Sequence, residues 1–417
     1  MEVKPIPVGY KKTVAGVIPN DWRVRHMRDV ARVVSGQVDP RIEPYSLMPL
    51  VAPDHIESGT GRLARSIPTA EEQQAISGKY LFRSGTVIYS KIRPHLRKVC
   101  MAPFDGVCSA DMYPLLPADD VHPGFLLASL LSERFSKYAE SVSIRSGMPK
   151  INREELADFE FVLPSTRQEQ AQIALNLADT DALIDLLEEL LTKKRQIKQG
   201  AMQELLTGKR RLPGFAGEWA ERNLAELADI RSGGTPSTRR PEFWDGDIPW
   251  CTPTDITALA GGKYISETAR SISEKGQKAS SAEILPVGTV VMTSRATIGE
   301  CAISSVPVTT NQGFKNFVAH RQTSAEFLYY LLGIQKPVLL GLCSGSTFLE
   351  IGKRQLANFV VRCPIEFDEQ EAIAGVLSDM DVEIVALQSR LTKARALKQA
   401  MAQALLTGRI RLKESSA

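Results

Sequence analysis

The sequence predicts an α+β chain in which two mixed α/β globules are separated by two long antiparallel, coiled-coil-like helices. An internal repeat is the first observation behind this prediction. Residues 157–212 match residues 357–412 at an offset of 200, with 25 identities over 56 positions. The second observation is that the repeated segments carry helical periodicity, whereas short apolar runs bounded by Gly, Pro and Ser precede them. The expected order is therefore globule–helix–globule–helix, with a pseudo-two-fold relation between the copies.

The repeat divides the chain into four predicted segments. These are a first globule (1–163), a first helical spacer (164–212), a second globule (213–363) and a second helical spacer (364–417). Because the helical parts are alike and the globular parts have diverged, the pattern favours one scaffold that carries two different binding domains. The alternative is a plain duplication whose globules drifted without acquiring separate roles.

The globules are expected to contain strands at 86–89, 159–163, 289–292, 317–319 and 359–362, and helices at 123–141 and 324–342. The first spacer begins where Ser165 or Thr166 can cap a short helix. A longer helix is predicted from about Asp179 to Leu206, with Gly208 at its C-terminal stop.

An apolar stripe along each spacer is too narrow to form a core alone and requires a partner helix. Each spacer helix begins acidic and ends basic, which favours antiparallel pairing of the two copies. The alternative is that each helix packs separately on its own globule. The stripe comprises Ile184, Leu187, Leu191, Ile197, Ala201 and Leu205 in the first copy and Ile384, Leu387, Leu391, Ala394, Leu397, Met401 and Leu405 in the second.

Composition excludes several classes of protein. With 43% hydrophobic and 24% charged residues among 417, the chain is an ordinary globular protein. It has no apolar run long enough for a membrane span and no signal-peptide pattern, so a cytoplasmic location is expected. Its six cysteines lack C-x-x-C spacing and are expected to be reduced and mostly buried. A net charge of +3 is only mildly basic, so DNA binding would require Lys and Arg to be concentrated on one face.

Signatures of catalysis are missing from the sequence. It has no phosphate-binding G-x-x-x-x-G-K-[ST] loop, no G-x-G-x-x-G and no Asn-Pro-Pro-aromatic tetrapeptide. Its five histidines have no recurring Ser or Cys partner and no zinc-ligand spacing. We therefore expect no catalytic residues, no metal ligands and no cofactor of its own. Together with the repeat, this favours a binding and assembly protein.

Candidate binding residues lie in polar loops that follow predicted strands. Such loops offer the Arg, Lys, Asn, Gln and Thr side chains that contact phosphates and base edges. The alternative for each loop is a solvated hairpin tip. The candidates are Lys91, Arg93, His95 and Arg97 in the first globule, and Arg295, Thr297, Asn311, Gln312 and Lys315 in the second.

Several motifs together resemble the specificity subunits of type I restriction–modification systems. The second globule carries Phe243-Trp244-Asp245-Gly246-Asp247-Ile248-Pro249-Trp250, which is similar to the opening of that family's target-recognition domains. Preceding it is Ser232-Gly233-Gly234-Thr235-Pro236-Ser237, and both spacers end in Leu-Leu-Thr-Gly. The first globule departs from the pattern, since it has Met48-Pro49-Leu50 but no Trp-Asp-Gly run.

The resemblance implies a division of labour. Each globule would be a target-recognition domain that reads one half of a bipartite, asymmetric site in double-stranded DNA, and the helices would set the gap. Two methyltransferase subunits would dock on the helices, and restriction/translocase subunits would join for cleavage. S-adenosylmethionine, ATP and Mg²⁺ would be bound by those partners. Two alternatives stay open, namely a self-contained DNA-modifying enzyme and a coiled-coil scaffold without a DNA role.

Overall fold

The computed structural model describes residues 6–144, 147–295, 297–341 and 350–412. The chain folds into two compact units. Unit 1 comprises the described residues up to Glu188 and from Ser389 onward, and unit 2 comprises those from Glu189 to Gln388. Each unit therefore combines one globule with the beginning of one long helix and the end of the other.

The described part of unit 1 contains a four-stranded sheet of order β4-β10-β7-β8, a three-stranded sheet of order β5-β9-β6, and the pairs β1-β2 and β11-β3, with bounds as follows. The strands are β1 (Tyr10–Thr13), β2 (Gly16–Pro19), β3 (Arg23–His26), β4 (Ala31–Val33), β5 (Leu50–Val51), β6 (Tyr80–Phe82), β7 (Val87–Ser90), β8 (Val99–Met101), β9 (Gly106–Cys108), β10 (Met112–Pro117) and β11 (Glu160–Leu163), and the helices of the globule are α1 (Met27–Val30), α2 (Pro123–Leu131), α3 (Glu133–Val142) and α4 (Arg153–Ala157).

The described part of unit 2 contains a five-stranded sheet of order β13-β20-β17-β18-β15, a three-stranded sheet of order β16-β14-β19, and the pair β12-β21. The strands are β12 (Trp219–Asn223), β13 (Ala228–Ser232), β14 (Trp244–Cys251), β15 (Tyr264–Ile265), β16 (Ser271–Ile272), β17 (Val290–Thr293), β18 (Cys301–Ser304), β19 (Thr309–Thr310), β20 (Phe314–Ala319) and β21 (Val360–Pro364), and the helices of the globule are α6 (Leu224–Leu227), α7 (Pro253–Ala258), α8 (Glu274–Lys278), α9 (Ala325–Gly341) and α10 (Lys353–Ala357).

The five predicted strands all form, with ends shifted by a few residues at most. The helix predicted at 123–141 is two helices, α2 and α3. Ser132 separates them with an extended backbone and caps α3, since its side chain accepts a hydrogen bond from the Phe135 N–H at 3.3 Å. The helix predicted at 324–342 is α9, and Leu342 lies outside the described residues.

The two long helices are α5 (Arg167–Leu205) and α11 (Phe367–Leu406). Thr166 caps α5 as predicted, because its hydroxyl accepts from the Glu169 N–H at 3.2 Å. Gly208 has the left-handed backbone (φ 70°) expected after the helix end. The predicted break before Asp179 is wrong. No Gly or Pro interrupts the first turns of α5, and Ile173 is buried in the core of unit 1.

The helices pair antiparallel in both units. In unit 1, Asp181 in the first half of α5 forms an ion pair of 2.5 Å with Lys398 near the end of α11. In unit 2 the roles are exchanged, since Asp381 in the first half of α11 pairs with Lys198 near the end of α5. The prediction that acidic starts meet basic ends is confirmed, and the alternative of separately packed helices is wrong.

The predicted apolar stripe needs one correction in each helix. Ile197 and Leu397 are 47% and 57% exposed, whereas Leu191 and Leu391 are buried. Six residues advance a helix by about 600°, so positions 197 and 397 lie well away from the face that carries 191 and 391. The side of each helix that carries the buried residues instead includes Lys194 in α5 and Ala394 in α11. Lys194 reaches Glu383 within unit 2, at 2.7 Å.

A buried cluster of Glu, Arg and Trp recurs in both units. In unit 1, Glu169 of α5 accepts bonds from Arg411 at 2.6 and 2.9 Å and from the Trp22 indole at 3.3 Å. Arg411 also binds Asp21 at 2.8 Å. We call this the Glu169 cluster. It joins the start of α5 to the segment that follows α11.

The matching Glu369 cluster lies in unit 2. Glu369 of α11 accepts bonds from Arg211 at 2.5 and 2.8 Å and from the Trp219 indole at 3.3 Å. The Glu369 side chain is fully buried. Among the described residues Arg211 has no second carboxylate partner such as Asp21, and it instead donates to the Gly217 carbonyl at 2.9 Å. Bidentate Arg–carboxylate bonds of this kind are strong and directional, so each cluster fixes a helix start against its globule.

The expectation of mostly buried thiols is confirmed for Cys100, Cys108, Cys251 and Cys363, while Cys301 is partly exposed. Burial raises the pKa of the Cys100 thiol to about 12. Cys343 lies outside the described residues. Across the parts of the chain that the structure describes, no helix is both long and apolar enough to cross a membrane.

Candidate nucleic-acid interface

The candidate residues of unit 1 lie in a tight loop, residues 91–97, between β7 and β8. We call it the first loop. Arg93 and Arg97 have left-handed backbones (φ 48° and 46°) on either side of a single 3₁₀ turn, Pro94–Leu96. Such φ values are uncommon for residues with a Cβ. Backbone bonds hold the turn, since the Arg93 N–H donates to the Pro149 carbonyl at 2.8 Å and the Arg97 N–H to the Pro94 carbonyl at 2.9 Å.

The first loop separates its candidates into two kinds. Lys91 is half-buried, donates to the Ala110 carbonyl at 2.7 Å and lies 5.7 Å from the centre of the Tyr113 ring. Arg93, His95 and Arg97 are exposed, and among the described residues their side chains have no hydrogen-bond or ion-pair partner. Three side chains of the loop are therefore free to bind an anionic ligand, while Lys91 stabilises the loop.

A groove of about 1220 Å³ in unit 1 adjoins the first loop. His95 and Arg97 line it together with Arg395 and Lys398 from the end of α11. The structure thus brings part of the predicted site close to the basic end of a long helix within the same unit.

The candidates that follow β17 in unit 2 are less free than those of the first loop. We call the described residues 294, 295 and 297 the second loop. Arg295 forms an ion pair of 2.8 Å with Glu350, and the same carboxylate lies 3.5 Å from Lys315. Lys315 is buried rather than exposed. Thr297 is exposed, and its carbonyl accepts a bond from the Thr293 hydroxyl at 2.5 Å.

The pKa values around Glu350 follow from this packing. Burial lowers the pKa of Lys315, and the nearby Glu350 carboxylate offsets part of that effect. For Glu350, burial alone would raise the pKa, but the hydrogen bond and charge of Arg295, followed by the charge of Lys315, lower it below its usual 4.5. The second loop therefore carries a charge-compensated cluster, whereas Arg93, His95 and Arg97 of the first loop have no ion-pair partner in the ranges that the structure describes.

Asn311 and Gln312 lie in the turn before β20. The Asn311 side-chain oxygen accepts from the Gly313 N–H at 2.8 Å, which fixes the turn. Gln312 is exposed and accepts a bond from the Thr235 hydroxyl. This bond joins the predicted turn to the Gly-Gly-Thr-Pro-Ser segment.

The tryptophans of the 243–250 run hold that segment in place. Their rings meet edge to face, with centres 4.9 Å apart. The Trp244 indole donates to the Ser237 carbonyl at 3.2 Å, and the Trp250 indole donates to the Gly234 carbonyl at 2.9 Å. A Cβ at Gly233 would collide with the Asn311 carbonyl, so glycine is required there for close packing. The motif therefore builds one surface from residues 233–240 and the turn at 311–313.

Comparison with known proteins assigns the chain to a family. The family model for the type I restriction modification DNA specificity domain matches it twice, at residues 19–199 and 216–394. The chain belongs to this family. The two matches correspond to the two copies of the repeat, and they confirm the family resemblance and the fold class predicted from the sequence.

Individual specificity subunits match parts of the chain. It is 40% identical over 166 residues to the type I restriction enzyme MjaIX specificity subunit of Methanocaldococcus jannaschii, covering 39% of this chain and 38% of that one. It is 35% identical over 216 residues to the EcoDI specificity subunit of Escherichia coli, covering 52% and 46%. The chain thus spans less than half the length of these curated relatives.

The fold is shared over a longer span. The crystal structure of the type I restriction–modification S subunit from M. genitalium superposes with a TM-score of 0.59, covering 92% of this chain and 96% of that one at 14% identity. At this identity the likeness concerns the fold alone. It agrees with the two-unit architecture described above.

The sequence analysis missed two residues of the candidate interface. Glu350, which compensates Arg295, lies 55 positions further along the chain, and no local pattern links the two. Arg270 lies against the ring of Trp244, which is 26 residues away in the sequence. The only sequence signal near this contact was the tryptophan-containing run at 243–250. The described residues contain no group of three or more His, Cys, Asp or Glu side chains arranged to hold a metal ion.

Proposed function

We propose that this chain is the DNA sequence-specificity subunit of a type I restriction–modification complex. Each globule reads one half of a bipartite, asymmetric site in double-stranded DNA, and the paired helices set the gap between the halves. The observation that carries the proposal is the duplication of one architecture with two different surface loops. A shared scaffold with different polar loops is what a protein needs to read two unlike half-sites.

The helices are proposed to dock the partners. Large apolar side chains are exposed along both of them, including Leu186 and Ile197 in α5 and Val382 and Leu397 in α11. Exposed large apolar side chains of this kind would supply apolar surface to a protein interface. Two methyltransferase subunits bind there, and restriction/translocase subunits complete the complex in the cytoplasm. S-adenosylmethionine, ATP and Mg²⁺ are bound by the partners, while this chain makes and breaks no covalent bond.

Methylome sequencing of a strain with and without this gene tests the proposal. We expect one bipartite methylated motif to disappear with the gene and to return on complementation. Co-purification with the methyltransferase should give two copies of that subunit per chain. An unchanged methylome in a strain with an active methyltransferase would contradict the proposal.

The two alternatives make different predictions for the purified chain. A self-contained DNA-modifying enzyme would methylate or cut DNA without any partner. A coiled-coil scaffold without a DNA role would show no salt-dependent binding to duplex DNA. The proposed specificity subunit does neither of these, because it binds DNA in a salt-dependent manner and modifies it only with its methyltransferase.

A further inference from the structure

Arg270 in unit 2 is held in place by an aromatic surface. Its guanidinium carbon lies 3.7 Å from the centre of the Trp244 ring and 5.6 Å from that of Trp250. Its backbone is fixed as well, because the Arg270 carbonyl accepts from the Trp250 N–H at 3.0 Å and from the Thr268 hydroxyl at 2.7 Å. Arg270 is therefore positioned at its backbone and at the end of its side chain.

The guanidinium of Arg270 nevertheless has no hydrogen-bond acceptor in the described part of the chain. The residue is exposed, and no carboxylate or carbonyl among the described residues forms an ion pair or hydrogen bond with its guanidinium. The contact with the Trp244 ring is a cation–π contact and uses none of the guanidinium N–H donors in hydrogen bonds to the described residues. Those donors form a planar fork, which matches paired acceptors such as two phosphate oxygens or the O6 and N7 of guanine.

The same surface carries polar groups suited to DNA. The Trp244 indole donates a hydrogen bond to the Ser237 carbonyl, and the Thr235 hydroxyl donates one to the Gln312 side chain. Residues 233–240 and the 311–313 turn are therefore adjacent to this tryptophan pair. The second loop, in contrast, has its arginine compensated by Glu350. Unit 2 therefore offers an uncompensated, rigid cation at the tryptophan pair rather than at the second loop.

We propose that Arg270 contacts DNA directly and donates two hydrogen bonds to one pair of acceptors, on a guanine edge or a phosphate. This inference rests on the proposed function. Pre-positioning by Trp244 reduces the conformational freedom that the side chain loses on binding, which favours tight and directional contact. The tryptophan pair of the specificity motif then acts as the support of a DNA-binding arginine, in addition to its role in the core.

The test uses the full chain in complex with its methyltransferase and measures binding to two duplexes. One duplex carries the methylated motif mapped for this system, and the other carries the same bases with both half-sites scrambled. The variants are Arg270→Ala, Arg270→Lys and, as a control with the same loss of charge, Arg362→Ala. Arg362 is an exposed residue of β21 with no side-chain partner among the described residues.

If Arg270 contacts a base, Arg270→Ala should weaken binding to the specific duplex about fivefold to 150-fold and leave the scrambled duplex nearly unaffected. If it contacts a phosphate, both duplexes should be weakened and the slope of log K against log salt should fall by about one. Arg270→Lys should recover little of the base contact but most of the phosphate contact, since lysine keeps the charge and loses the fork.

A purely structural role for Arg270 would overturn the inference. Arg270→Ala would then lower the thermal midpoint, while affinity and salt slope for the folded complex would equal those of Arg362→Ala. Failure of the proposed function is distinguishable from this outcome, because the wild-type complex itself would then fail to prefer the specific duplex.

Discussion

The two units share a scaffold and differ at the loops that connect β7 to β8 in unit 1 and β17 to β18 in unit 2. In each, a Glu at the start of a long helix bonds an Arg and a Trp with nearly equal distances. In contrast, the first loop leaves Arg93 and Arg97 without partners among the described residues, whereas Arg295 in the second loop is paired with Glu350.

One position accounts for much of this difference. An isolated antiparallel bridge joins Arg295 to Glu350 in unit 2, and the corresponding bridge in unit 1 joins Ile92 to Lys150. Unit 2 therefore has an acid, Glu350, at the bridge position where unit 1 has a base, Lys150. The comparison shows that duplication preserves hydrogen-bonded geometry and buried ion pairs, while the surface charge that a ligand meets changes with single substitutions.

The largest effect is expected from changes to the long helices, because α5 and α11 each contribute residues to both units. Duplicating residues 190–193 in α5 alone adds about one turn, roughly 6 Å, to one helix of the pair. The partner helix cannot then satisfy the ion pairs of both units, so we expect loss of specific methylation. Methylation-site mapping measures this effect.

The matched control lengthens both helices, with 190–193 and 390–393 duplicated together. The pairings of each unit are then retained, and methylation should return at half-sites of unchanged sequence with the gap increased by roughly one to two base pairs. The added turn also rotates the globules, so activity on the longer gap is expected to be lower than that of the wild type. A doubly extended, active protein with an unaltered gap would rule out the spacer role.

The second largest effect is a loss of folding stability on disrupting the Glu169 and Glu369 clusters. The loss is expected to be larger in unit 2 than in unit 1. Glu369→Gln removes the carboxylate that pairs with Arg211, and breaking a buried pair in this way costs about 3 kcal/mol or more. Glu169→Gln should cost less, because Arg411 keeps its bond to Asp21. Denaturant unfolding of each variant measures the difference.

Glu371→Gln is the control for these two changes, since Glu371 is an exposed residue of α11, two positions after Glu369, and should change stability by no more than about 0.5 kcal/mol. Equal losses for Glu169→Gln and Glu369→Gln would show that Asp21 contributes nothing. Losses as small as that of the control would show that neither cluster stabilises its unit.

The sequence predicted the scaffold better than the interface, for a physical reason. Helix periodicity and end signals are local, so the repeat indicated both long helices and their antiparallel charges, although a break near Asp179 was wrongly expected. Candidate residues were chosen by type and by their position after a strand. That rule cannot detect an ion-pair partner that is distant in the sequence. It therefore treated Lys315 and Arg295 as DNA-binding candidates equal to Arg93 and Arg97. Burial of Lys315 and its pairing with Glu350 depend on tertiary contacts alone.

The difference between the loops predicts a smaller effect, on DNA binding. Arg93→Ala and Arg97→Ala should each weaken specific binding by about 1–3 kcal/mol if the side chain reads a base, or reduce the salt slope by about one if it contacts a phosphate. Arg295→Ala should do less, because Glu350 already neutralises that arginine. Fluorescence titration of duplex DNA at several salt concentrations measures both quantities. A larger effect at Arg295 than at either arginine of the first loop would reverse the comparison.

The smallest predicted effect concerns the pH dependence of unit 2. Because its neighbours lower the pKa of Glu350 below 4.5, the carboxylate stabilises the folded state fully above its ordinary pKa. This contribution is lost as the pH falls through the lowered value, because the folded and unfolded states then bind the same number of protons. Glu350 is partly exposed, so the contribution at neutral pH should be no more than about 1 kcal/mol.

Glu350→Gln should therefore be less stable than the wild type at neutral pH, and the two proteins should converge as the pH falls below about 4.5. The same variant removes the ion-pair partner of Arg295, so the second loop should bind DNA more as the first loop does. The salt slope for DNA binding should then rise by up to about one. Glu267→Gln, an exposed acid of the same unit, controls for the change in net charge. Unfolding midpoints of all three proteins across the acid range provide the measurement. A stability difference that stays constant down to the lowest pH would mean that Glu350 acts by packing rather than by charge, and the contrast between the two loops would then not be electrostatic.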